Sequence, residues 1–90
     1  MRIDRLIVDV GREEHVGRHH VTVPEAEQVV FGAPFIVRTR EGRYRLIGQT
    51  AAGRYLTVFV VPRYSGAYAL VTARDATAAE LRAYQARRRQ

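Results

Sequence analysis

Ninety residues without a cysteine exclude a disulfide framework and a thiolate metal centre, and fit a reducing compartment. Hydrophobic content of 47% is too high for a disordered chain, and no run approaches the roughly 18 apolar residues that would cross a bilayer, so a single soluble intracellular domain over residues 1–90 is expected, with no membrane partner. The formal net charge of +6, with all fifteen basic residues arginine, predicts an anionic partner, a nucleic acid or an acidic protein. GC-rich codons also supply arginine, so the sign of the charge carries this inference and the choice of residue does not.

In chain order, RIDRLIVDV (2–10) begins with polar–apolar alternation and is rich in branched residues, which predicts a first strand ended by Gly11. Residues 12–20 read as a short, exposed helix: Gly17 weakens it and Val16 is its only apolar anchor. Thr22 and Glu25 have capping-box spacing, and Pro24 suits the first turn. With Val23, Ala26, Val29 and Val30 on one stripe and Gly32 as a stop, they predict a second helix from about Pro24 to Phe31.

After Pro34 the period changes to two. FIVRTR (35–40), YRLIGQT (44–50), RYLTVFVVP (54–62) and YALVTAR (68–74) are strand-like and separated by short loops containing glycine, so they run antiparallel. The third is apolar on both faces and belongs in the middle of the sheet, covered by helix on at least one side. Thr77 and Glu80 repeat the capping-box spacing and open a last helix, with Leu81 and Tyr84 as its main core contacts and arginines at its C-terminal end. The order is β-α-α-β-β-β-β-α: an α+β fold with a mostly antiparallel sheet of four or five strands packed against helices.

All three histidines fall within six positions, at His15, His19 and His20. On a helix His15 and His19 share a face with Arg12. Three readings compete. H-x-x-x-H is a metal spacing, but the residue after His15 is Val16 and no further histidine or cysteine supplies a third ligand; neither metal nor cofactor is expected. Alternatively one ring, His20 foremost, packs against the sheet while the others are solvated. The third reading is acid–base chemistry, since histidine's ordinary pKa near 6.5 lets it exchange protons at neutral pH. RNA suits such a site, because it carries its own nucleophile, the 2′-hydroxyl. Imidazoles at 15 and 19, with Arg43, Arg54 and Arg74 near strand ends, are sufficient parts for cleavage without metal.

EHVGRHHVTVPEAEQVVF, GRYRLIGQTAAGRYLTVFVVPR and VTARDATAAELRAY, taken in this order, resemble the BrnT-type toxins of bacterial type II toxin–antitoxin modules, within the RelE/ParE-like group of small ribonuclease toxins. The resemblance runs from about residue 12 to residue 85. It implies a RelE-like fold, cleavage of RNA (mRNA, on the ribosome or free) in the cytoplasm, and a cognate antitoxin of ribbon-helix-helix type. The family's lysine–histidine pair corresponds to Arg18 and His19, and His20 stands where a glycine is common. The family's S/T-A-R arginine corresponds to Arg74, and the glutamate and tyrosine of its last helix to Glu80 and Tyr84. Leu81 replaces an arginine of many relatives.

The expected catalytic set is therefore His15, His19, Arg54 and Arg74, with Arg18, Arg43, Glu80 and Tyr84 binding substrate. Each has a simpler role open to it: Arg74 as a partner of Asp75 or Glu80, Glu80 as a cap, Tyr84 as core, and Arg43 as solvated charge. The alternative function is a RelE-like module that binds nucleic acid or antitoxin without chemistry.

Overall fold

The computed structural model describes residues 1–89. Its elements are β1 (Arg5–Ile7), α1 (Arg12–Gly17), α2 (Val23–Val30), β2 (Phe35–Arg38), β3 (Tyr44–Gln49), β4 (Tyr55–Tyr64), β5 (Ala67–Asp75) and α3 (Ala78–Arg88), the predicted order. They build one five-stranded sheet in the order β1-β5-β4-β3-β2. Strands β2 to β5 form an antiparallel meander with β4 at its centre, and β1 joins β5 in parallel.

Both longer helices start where the sequence placed them. Thr22 and Thr77 each accept the backbone N–H three residues on, while Glu25 and Glu80 reach back to the capping residue's own N–H. The first strand is shorter than its alternation implied: pairing stops at Ile7, and Val10 is fully exposed. The chain leaves the sheet there because α1 takes over the edge of β5 beyond Ala69.

Alternation along the strands gives the sheet two different faces. Leu46, Val58 and Ala73 stand in one row across β3, β4 and β5, facing α1 and α2. With Val16, Val21, Ala26, Val29, Leu56, Val60 and Leu70 they make the main apolar core. Val16 is fully buried and ties the short α1 to this core.

The other face carries the rows Arg45–Phe59–Thr72 and Ile47–Thr57–Arg74. Here α3 lies over the β3 side, with Tyr84 stacked edge-on against Tyr55, ring centres 5.9 Å apart. Glu80 and Tyr84 are the buried residues of α3, whereas Leu81, an expected core contact, is only half-buried. No helix of the described residues is long and apolar enough to cross a membrane.

Candidate active site

The site is assembled on the α3 face of the sheet, between α1 at the free edge of β5 and α3 over β3. A bulge sets its first corner. The β4–β5 register shifts between Phe59 and Val60, leaving Val71 without an opposite residue. The Val71 carbonyl accepts a hydrogen bond from Arg12 Nη1 at 3.0 Å, which fixes α1 along this edge. One turn later His15 Nε2 lies 3.1 Å from Thr72 Oγ1. A hydroxyl both donates and accepts, so this contact survives whichever form the ring takes. His19, in the turn after α1, sets its exposed ring edge-on to His15, with centroids 5.8 Å apart.

Arg74 follows Thr72 on the same face, two residues along β5. Its guanidinium sits 5.2 Å from the centre of the Phe59 ring and grips Glu80 through two bonds, Nη1 to Oε1 at 2.7 Å and Nη2 to Oε2 at 3.1 Å. Such a bidentate pair fixes the plane of the fork as well as its position. Glu80 Oε2 also accepts from Arg45 Nη1 at 3.0 Å, and Oε1 from Thr57 Oγ1 at 2.8 Å and the Thr77 amide at 2.9 Å.

Burial alone would raise the carboxyl's pKa, because the side chain is only 5% exposed, yet Arg74, the Thr77 amide and Thr57 together hold it down at about 2. Glu80 is thus a permanent anion at neutral pH, unsuited to act as a base. It serves as the anchor for two guanidinium groups.

The remaining expected residues are placed elsewhere. Arg54, at the start of β4, donates Nε to Asp75 Oδ1 at 3.0 Å and Nη1 to the Glu25 carboxylate and the His20 carbonyl. Partial burial would lower its pKa, but Asp75 and Glu25 raise it further. Arg54 therefore clamps the start of α2 to the end of β5. Its Nε and Nη1 are engaged in this clamp, and its side chain is 30% exposed. The same clamp helps the Thr22 cap hold the Glu25 carboxyl below its ordinary pKa.

Arg43 lies exposed in the β2–β3 turn, where its carbonyl accepts from the Thr39 amide, just before the start of β3. Arg18 is solvated beside Glu14 at 3.5 Å. Tyr84 is buried, its hydroxyl accepting from Arg88 Nη1 at 3.1 Å. His20, the ring expected to pack on the sheet, is exposed at φ 60°, a left-handed conformation that glycine adopts without strain. His15 is the half-buried ring instead. Among the described residues no three histidine, aspartate or glutamate side chains converge on a common point to hold a metal ion.

Arg45 and Thr72 were not singled out in the sequence. Arg45 is a lone charge in YRLIGQ, between positions that alternate into the main core, and its signal was only that a strand covered on both sides has no obvious room for it. The carboxylate that accommodates it is 35 residues away.

The fold has a parallel among solved structures. The crystal structure of the Brucella abortus ribonuclease toxin BrnT superposes on the chain with a TM-score of 0.66, covering 81% of this chain and 96% of that one at 20% sequence identity. The chain has the BrnT fold. No protein-family model and no curated protein matches the sequence. The BrnT fold is thus recovered from backbone geometry and from the order of weak motifs, at an identity where few individual side chains are shared.

Proposed function

We propose that the protein is a ribonuclease toxin of a type II toxin–antitoxin module, cutting RNA without a metal ion. The observation that carries this reading is the placement of His15, tied to Thr72, and Arg74, tied to Glu80, two strand positions apart on one open face. The BrnT fold supports it, since the neighbour with that fold is a ribonuclease toxin.

In the proposed reaction one imidazole of the His15–His19 pair removes the proton of a 2′-hydroxyl. The resulting oxygen attacks the adjacent phosphorus, a 2′-oxygen–phosphorus bond forms, and the bond from phosphorus to the 5′-oxygen breaks. The other imidazole gives its proton to that departing oxygen. The products are a 2′,3′-cyclic phosphate and a 5′-hydroxyl, with no net change in protons on the enzyme. Arg74 presents its fixed donors to the phosphoryl oxygens, whose charge grows in the pentavalent state. The basic surface draws the polyanion in. An acidic antitoxin, of ribbon-helix-helix type and encoded beside the gene, is the proposed protein partner, and the cytoplasm the proposed compartment.

The test is cleavage of a defined RNA by purified protein in excess EDTA, with analysis of the end groups. Cyclic phosphate ends, and their loss in Arg74→Gln and in a His15→Ala/His19→Ala double variant that remain folded, support the proposal. Cleavage that EDTA abolishes would remove the metal-free mechanism. Binding to the same RNA without cutting by the wild type would favour a module that binds and does no chemistry.

A further inference from the structure

We infer that Arg45 forms a second phosphate site, for the backbone phosphate next to the one that reacts; this rests on the ribonuclease reading above. One carboxylate balances one guanidinium, but Glu80 anchors two. The cluster keeps one positive charge in excess, and Arg45 and Arg74 are each about a third exposed on the open part of the face (35% and 36%). An excess charge held in place at a surface attracts a mobile anion of matching geometry.

Folding alone does not account for Arg45. Its Nε is buried without an acceptor, a cost that an apolar side chain at this strand position would avoid. Glu80 does not require it either, since Arg74, Thr57 and the Thr77 amide already satisfy both oxygens.

The geometry separates the two arginines' tasks. Both converge on Glu80, which sits over Thr57, Arg74 from the β5 side and Arg45 from the β3 side. The carboxylate fills the wedge between the two forks, so a phosphate cannot enter there. Arg45 uses only Nη1 on Glu80 and its Nε is buried, so Nη2 is the group left for a phosphate. Arg45 is also two strands from Thr72 in the same row, a backbone separation of about 10 Å, so it is remote from the His15 corner where the bond is cut. A chain laid across the strands over Phe59 would place one phosphate between His15 and Arg74 and the next at Arg45.

The experiment compares two substrates, a dinucleoside monophosphate with one phosphate and the corresponding trinucleoside diphosphate with two. Arg45→Gln is expected to lower kcat/KM on the trinucleotide by about 10- to 100-fold more than on the dinucleotide, the scale of one charge-assisted contact. Arg74→Gln should lower both alike. An equal penalty on both substrates in Arg45→Gln, or none on either, overturns the inference.

Binding of a 2′-deoxy trinucleotide at several salt concentrations gives a readout that needs no chemistry. Arg45→Gln should reduce the log–log salt slope by about 0.7, one single-strand phosphate contact. An unchanged slope rejects the second site even if the protein proves unable to cut, whereas a reduced slope in a protein that does not cut sustains the phosphate site and removes only the nuclease assignment. Arg45→Met, which keeps the stem and removes the charge, should match Arg45→Gln in these assays and melt at or above the wild-type temperature. A Met variant that binds as the wild type does would also reject it.

Discussion

Replacing Glu80 by glutamine keeps the side chain's shape and removes the charge between Arg74 and Arg45. The carboxyl titrates at about 2 in the folded protein against an ordinary 4.5, a difference worth about 3 kcal/mol of folding free energy. Since its pKa is depressed by folding, that contribution is fully present above pH 4.5 and is lost as the pH falls toward 2. At pH 7 the glutamine variant should be less stable by about 3 kcal/mol, the low end for breaking a buried ion pair, because both arginines retain access to water. For a domain of this size that is a fall in Tm of about 10–20 °C. Urea denaturation at pH 7 measures the difference. A series between pH 5 and 2 should show the wild type losing its advantage and the two proteins converging. A variant within about 0.5 kcal/mol of wild type at pH 7, or a gap that stays constant down to pH 2, would refute the assignment of Glu80 as an ionised anchor.

Other perturbations separate chemistry from scaffold. His15→Ala should reduce RNA cleavage by about 10²- to 10⁴-fold while leaving the melting temperature nearly unchanged, as measured by single-turnover rates and calorimetry. Arg54→Ala should do the reverse, destabilising the fold by about 1–2 kcal/mol through loss of its contacts with Asp75, Glu25 and the His20 carbonyl, with the cleavage rate per folded molecule retained. His20→Gly should raise stability by about 0.5 kcal/mol in urea titration, as relief of the left-handed backbone outweighs the freer unfolded chain. Thr77→Ala should cost about 1 kcal/mol by the same measurement, through loss of the α3 cap.

Local chemistry was legible in the sequence and long-range pairing was not. The capping boxes at Thr22 and Thr77 and the period-two runs after Pro34 rest on neighbours within a few residues, and they placed α2, α3 and four strands within a residue or two of their observed ends. β1 was read too long because alternation records which residues can form a strand and not how far a partner extends; Ala67–Ala69 of β5 receive it and no more. The arginines show the same limit. Arg54 and Arg74 are equivalent as residues near strand ends, but Arg54 meets Glu25 and Asp75, 29 and 21 positions away, and becomes a clamp. Arg74 meets Glu80 six positions on, across a turn, and remains about a third open to solvent. Arg45 acquires meaning only once the register of β3 against β4 brings it beside the first turn of α3.

One carboxylate starts α3 and also steadies both guanidinium forks. Fixing the two forks is therefore tied to winding α3. Until that opening turn closes, Arg74 and Arg45 repel each other with no counter-ion between them. Any influence that frays that single turn therefore loosens both guanidinium forks together.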